Sequence, residues 1–173
     1  MIYEIKDTKK ISPLFGHWEE TLIWSCLQGI MGKIYANDLT APTAAMAVIG
    51  DFTFFAGEPC PELIAYRPPH CTQNFMIAVP QNKLWENMLT QFYGKKAKII
   101  SRYATKKEPP IFNKHHLEKI VASLPKQYTL SMIDSHFYKL CKSEAWSKDL
   151  VSQFSTYEKY RRLGIGVVIS KDG

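Results

Sequence analysis

The chain has 173 residues, 46% of them apolar and 13% aromatic, with a formal net charge of +6. That composition suffices for one sizeable core or two small ones and excludes a disordered chain. No apolar run approaches the roughly 20 residues of a membrane span, and the opening Met1-Ile2-Tyr3-Glu4-Ile5-Lys6-Asp7 lacks the layout of a secretory signal.

In chain order, Trp18, Leu22, Cys26 and Leu27 recur at helical spacing, with Glu19 and Glu20 in the first turn and Gly29 near the end. Residues 31–36 read as a strand. Residues 44–57 are too apolar for a half-exposed strand and too rich in β-formers for a helix. They read as one long strand with a bulge near Gly50. Pro59, Pro61, Pro68 and Pro69 bracket a connection with room for a short helical turn, and residues 74–79 form a compact apolar strand. Asn82 caps a helix bearing Trp85, Met88, Leu89 and Phe92 at i, i+3, i+4, i+7, ended by Gly94. Residues 98–105 read as a strand, and Lys106-Lys107-Glu108-Pro109-Pro110 breaks the chain. The expected division is therefore an N-terminal α/β domain over 1–108, then a linker, helices and the start of a second domain over 109–173.

Asn113 caps a helix with Leu117, Ile120, Val121 and Leu124 on one face. Residues 128–133 read as a strand, and 138–146 show no assignable pattern. Ser147 caps a last helix with Leu150, Val151, Phe154 and Tyr157 inward. Helices and strands interleave throughout, which predicts an α/β (α+β) fold, a layered mixed β-sheet with flanking helices.

The ending spells Arg161-x-x-Gly164-x-Gly166, the short loop by which acyl-CoA-dependent N-acetyltransferases grip a pyrophosphate. Such a loop follows a strand and opens a helix, because free backbone N–H groups and the helix dipole hold the phosphates. Here an amphipathic helix precedes the glycines and a β-branched run follows. Gly164 reads as a left-handed helix cap, residues 167–170 as a strand, and Asp172-Gly173 as a hairpin turn. The chain is expected to stop partway through a sheet.

Cys26, Cys60, Cys71 and Cys141 lack paired spacing, so neither disulfides nor a zinc site are indicated; a reduced, cytoplasmic setting is expected. If 97–105 form a strand, Lys96, Lys98, Arg102 and Lys106 share a face. That stripe suits an anionic partner or, more ordinarily, a solvated sheet edge. A nucleic-acid partner is not expected. His115 and His116 are helix neighbours that cannot face one metal, and Asp134-Ser135-His136 is too contiguous for a triad. Asp51, between Gly50 and Phe52, is an acid in an apolar run, either a ligand or base carboxylate or a group that satisfies local N–H donors.

Several blocks together resemble one branch of the GNAT acetyltransferase superfamily, that which includes proteins similar to the zwittermicin A self-resistance acetyltransferase. They are Glu20-Thr21-Leu22-Ile23-Trp24-Ser25-Cys26-Leu27-Gln28-Gly29, Met31-Gly32, Gly50-Asp51-Phe52 with Phe55-Ala56-Gly57, Arg102-Tyr103-Ala104 with Lys106-Lys107-Glu108, and Leu124-Pro125. The resemblance implies a divergent GNAT-like N-terminal domain, with residues 165–170 as the first strand of a catalytic half that is cut short. It implies acetyl-CoA as co-substrate, a small-molecule amine as acceptor, no metal and no membrane partner. Asp51, Arg102 and Tyr103 would line the acceptor pocket, and no residue is assigned to acetyl-CoA. The alternatives are a non-catalytic binding module for an anionic partner and a structural fragment that pairs as a homodimer.

Overall fold

Apolar side chains on both faces of the central strands dictate a layered arrangement. The structure is a computed structural model that describes every residue except Ala104, Lys106, Lys107, Pro109, Pro110, Asp172 and Gly173. β1 (Tyr3–Ile5), β2 (Lys33–Ala36), β3 (Ala44–Ile49) and β4 (Phe52–Gly57) pair antiparallel in succession. β5 (Ile77–Pro80) joins β4 in parallel, so the sheet runs β1-β2-β3-β4-β5.

On one face Ala45, Ala47 and Ile49, with Ile34 and Phe54, pack against Phe15 of α1 (Ser12–Phe15) and Ile23 and Cys26 of α2 (Thr21–Leu27). On the other, Ala44, Met46 and Val48, with Tyr35 and Phe55, meet Leu63 and Ile64 of α3 (Pro61–Ala65) and Trp85 and Leu89 of α4 (Lys83–Tyr93). Helices therefore cover both faces of a mixed five-stranded sheet, as the interleaved elements predict.

Residues 44–57 are two strands, not one with a bulge. Ile49 faces Phe52 across a two-residue turn of Gly50 and Asp51, and Gly50 takes φ 54, the left-handed value a primed hairpin turn requires at its first position. α2 begins only at Thr21; Trp18 precedes it and meets the Phe54 ring edge-on, centroids 5.8 Å apart. Asn82 caps α4 as expected, its Oδ1 accepting from the Leu84 and Trp85 N–H groups.

The strand expected at 98–105 is not formed: residues 97–103 have no regular structure, so no pleat aligns Lys98 and Arg102. Lys106 lies outside the described residues. α5 (Lys114–Ala122) carries the Asn113 cap, bonded to the His116 N–H, but Leu117, Ile120 and Val121 on its apolar face are about half exposed. β6 (Tyr128–Met132) pairs antiparallel with β7 (Val167–Lys171) as a separate two-stranded sheet.

α6 (Ser135–Ser143) fills much of the stretch left unassigned. The last helix is two, α7 (Lys148–Val151) and α8 (Tyr157–Leu163). Ser147 does not cap α7; its hydroxyl donates to the Cys141 carbonyl at 3.2 Å, while Thr156 caps α8. Tyr138, Val151, Phe154 and Tyr160 close a third cluster with Ile30. The turn expected at Asp172-Gly173 lies outside the described residues.

Candidate functional site

The β3–β4 turn, the proline-rich connection after α3, the end of α4 and the segment around α7 enclose a cleft of about 560 Å³, within the range of small-molecule sites. Asp51 enters from the turn. Arg67, His70 and Cys71 enter from the connection, Tyr93 from α4, and Asp149 and Gln153 from the α7 segment.

The scaffold around these groups is stiff. The Asp51 carbonyl accepts from the Ile77 N–H at 2.7 Å, locking the turn to the start of β5. Pro68 and Pro69 restrict the connection, the Cys71 N–H donates to the Pro68 carbonyl at 2.9 Å, and Arg67 Nε donates to the Cys71 carbonyl at 3.2 Å. The Asp51 carboxylate itself has no hydrogen bond or ion pair among the described residues. It is an acid held in a cleft with nothing to answer it.

His70 stacks on the buried Tyr35 ring and lies 3.4 Å from its hydroxyl through Nδ1. Burial, then the nearby Lys33 charge, holds the imidazole below its usual range, with Glu4 opposing. The folded protein thus binds fewer protons than the unfolded chain just below the ordinary histidine value of 6.5, and stability falls as pH drops through that value. Urea midpoints between pH 7.5 and 5.5 are expected to decline, and less steeply in His70→Gln. An equal slope in the variant assigns the decline to other groups.

Of the three residues expected to line an acceptor pocket, Asp51 lines this cleft. Arg102 does not line the cleft; its guanidinium carbon lies 5.4 Å from the centre of the Phe52 ring, which is cation–π geometry. Tyr103 is 96% exposed and not on the cleft wall. Arg67, His70 and Asp149 were not singled out as a site from the sequence. Only tertiary folding brings them to Asp51, and no local spacing announces them.

A pyrophosphate site needs free N–H donors where a strand opens into a helix. Among the described residues the three strand-to-α-helix junctions each have first-turn positions already engaged or lacking an N–H. Before α3, Pro59 and Pro61 supply no N–H, and Glu62 places its own carboxylate on the first turn. Asn82 takes the Leu84 and Trp85 donors of α4, and Asp134 takes the Phe137 donor of α6. At the ending, α8 precedes Gly164 and β7 follows Gly166, the order expected of a helix stop and a strand start. The left-handed cap is a correction: Gly164 adopts φ −76 and ψ 140, open to any residue. Its lack of a side chain answers crowding, because a Cβ there would lie 2.6 Å from the Tyr160 ring; one on Gly166 would lie 2.5 Å from the Tyr160 hydroxyl.

No helix among the described residues is long and apolar enough to cross a membrane. Those residues also hold no group of three or more metal-ligating side chains. None of the curated proteins compared with the chain matches it. The structure resembles that of a GCN5-related N-acetyltransferase-like protein from Streptococcus suis, with 38% sequence identity and a TM-score of 0.74. The match covers 96% of this chain and 66% of that one, so the chain spans just under two thirds of that protein's length. The family model described as GNAT acetyltransferase matches residues 12–173. The chain belongs to the GNAT acetyltransferase family.

Proposed function

We propose that the cleft is the acceptor-amine side of an N-acetyltransferase that draws its acetyl group from acetyl-CoA. The observation that carries this is the unpaired Asp51 carboxylate, fixed on a rigid turn inside a cleft of small-molecule size, in a chain of this family. A carboxylate there attracts an ammonium and orients it, and a charge-assisted hydrogen bond is shorter and stronger than a neutral one. Transfer then forms a C–N bond as the thioester C–S bond breaks. The ammonium first gives one proton to a base, which frees the lone pair that attacks, and the second proton lost from nitrogen ends on the departing thiolate. His70, held in its neutral form and lining the same cleft, is the base in this reading.

Arg102 rests on Phe52, which packs on the opposite sheet face from the cleft residues Met46 and Ile64, so in this reading it reaches the cleft rim only by a rearrangement of residues 97–103. Tyr103 joins it only if residues 97–103 fold inward over the acceptor. The division at 108/109 goes with this reading, supported by the confinement of the five-stranded sheet to residues before it and the two-stranded sheet to residues after it. Four free cysteines support a reducing, cytoplasmic setting.

Calorimetric titration of the chain with phenethylamine tests the acceptor side. Saturable binding is expected, weakened about tenfold in Asp51→Asn, since a hydrogen bond to a charged group contributes about 1.5–3 kcal/mol. Equal affinity in the variant and the parent would overturn the assignment.

A further inference from the structure

Asp51 is not the only unanswered charge in the cleft. Arg67 lines it too, and no ion pair joins Arg67 to Asp51, Asp149 or any other described carboxylate. Its one recorded hydrogen bond runs from Nε to the Cys71 carbonyl, within its own loop. That bond uses one edge of the guanidinium and leaves the Nη donors uncommitted, and those donors match a carboxylate in bidentate geometry.

We propose that the cleft takes a zwitterion, a small amine that also carries a carboxylate, with the ammonium at Asp51, the carboxylate at Arg67 and an apolar side chain between them. This rests on the acceptor-amine reading above and names the chemical class of that acceptor.

Three observations support it. Both charges stand on stiff elements, Asp51 on a turn bonded to β5 and Arg67 on a connection braced by Pro68, Pro69 and the Cys71 turn. Neither can easily collapse onto the other, so their separation is kept for a third party. Both also act on the same residue: at Cys71, where burial pushes the thiol up, Arg67 pulls it down and Asp51 pushes it further up. The two opposite charges therefore lie within electrostatic range of one residue of the wall. Finally, Phe75 and Phe92, both on the wall, are 56% and 51% exposed. Aromatic faces left wet in a cleft favour an apolar group that covers them, by about 25 cal/mol per Å² removed from water.

A diamine is the competing occupant, since Asp149 offers a second carboxylate. Arg67 opposes it: a dication in this space would bring a second positive charge towards an unneutralised guanidinium.

Calorimetry at low salt on the full chain decides, using phenylalanylglycine and phenylalanine as zwitterions. The controls are phenylalanylglycinamide, which lacks the carboxylate, N-(3-phenylpropionyl)glycine, which lacks the amine, and 1,4-diaminobutane. At least one zwitterion is expected to bind at least tenfold more tightly than all three controls. Arg67→Gln should remove that advantage while leaving the amide's affinity unchanged, and Arg67→Lys should restore part of it. Asp51→Asn should weaken both zwitterions and the amide and leave the propionyl compound unaffected. Equal binding of zwitterions and amide, insensitive to Arg67→Gln, overturns the zwitterion while the amine reading stands on Asp51→Asn. Tighter binding of 1,4-diaminobutane overturns it as well. No effect of Asp51→Asn on any amine overturns both.

Discussion

Replacing Trp85 with alanine is expected to cost about 3–5 kcal/mol, enough to unfold much of the population at moderate temperature. Trp85 is fully buried, packs on Phe55 with ring centroids 5.1 Å apart, and donates from Nε1 to the Gly57 carbonyl at 2.9 Å. It thus ties α4 to the last residue of β4 by both volume and hydrogen bonding. Removing it leaves a cavity in one sheet face and strips the part-buried Gly57 carbonyl of its donor. Trp85→Phe keeps most of the volume and loses the hydrogen bond, so a smaller loss of about 1–3 kcal/mol is expected. Urea unfolding followed by far-UV circular dichroism measures both. A loss below about 1 kcal/mol for the alanine variant would contradict its place in the core.

The second large effect is expected at the ending. Gly166→Ala drives a methyl against the Tyr160 hydroxyl and the Ile133 side chain, and Gly164→Ala drives one against the Tyr160 ring and backbone oxygen. Each is expected to cost about 1–3 kcal/mol by overpacking. The partner identifies the cause. Tyr160→Phe removes the clashing hydroxyl and should recover a large part of the Gly166→Ala loss. The same hydroxyl is buried without a hydrogen-bond partner among the described residues. Tyr160→Phe alone is therefore expected to be neutral or stabilising by about 1 kcal/mol. Were Gly164 a left-handed cap, Gly164→Asn would be mild. At φ −76 the asparagine gains nothing and suffers the same crowding. A mild Gly164→Asn with no rescue of Gly166→Ala by Tyr160→Phe would overturn this account.

Local chemistry made much of the fold legible. Asn82 and Asn113 stand where their side chains take first-turn donors, and the periodicity behind Trp85 and Leu89 points inward as read. The errors share a cause. Residues 44–57 show no alternation because helices cover both sheet faces, so the hairpin at Gly50 and Asp51 left little trace in the pattern. Residues 98–105 read as a strand from β-formers such as Ile99, Ile100 and Tyr103, without a clean period of two, and residues 97–103 take no regular structure. The face of Leu117, Ile120 and Val121 is amphipathic as read, but it is not covered. Periodicity reports which side chains share a face, not whether another element reaches them.

The site was legible at one residue. Asp51 stood out as an acid in an apolar run, while Arg67, His70 and Asp149 reach it from distant segments. Arg102 meets the Phe52 ring rather than the cleft.

The parallel pairing of β4 with β5, the one such pairing among the described residues, bears on the order of assembly. Strands β2 to β4 are joined by short connections, whereas β5 waits for residues 58–76 to cross over through α3, a closure that costs more chain entropy. The walls contributed by that crossover are therefore expected to form after the β2–β4 meander. A bound acceptor grips a surface absent from the rate-limiting ensemble, so it should slow unfolding while leaving the refolding rate unchanged.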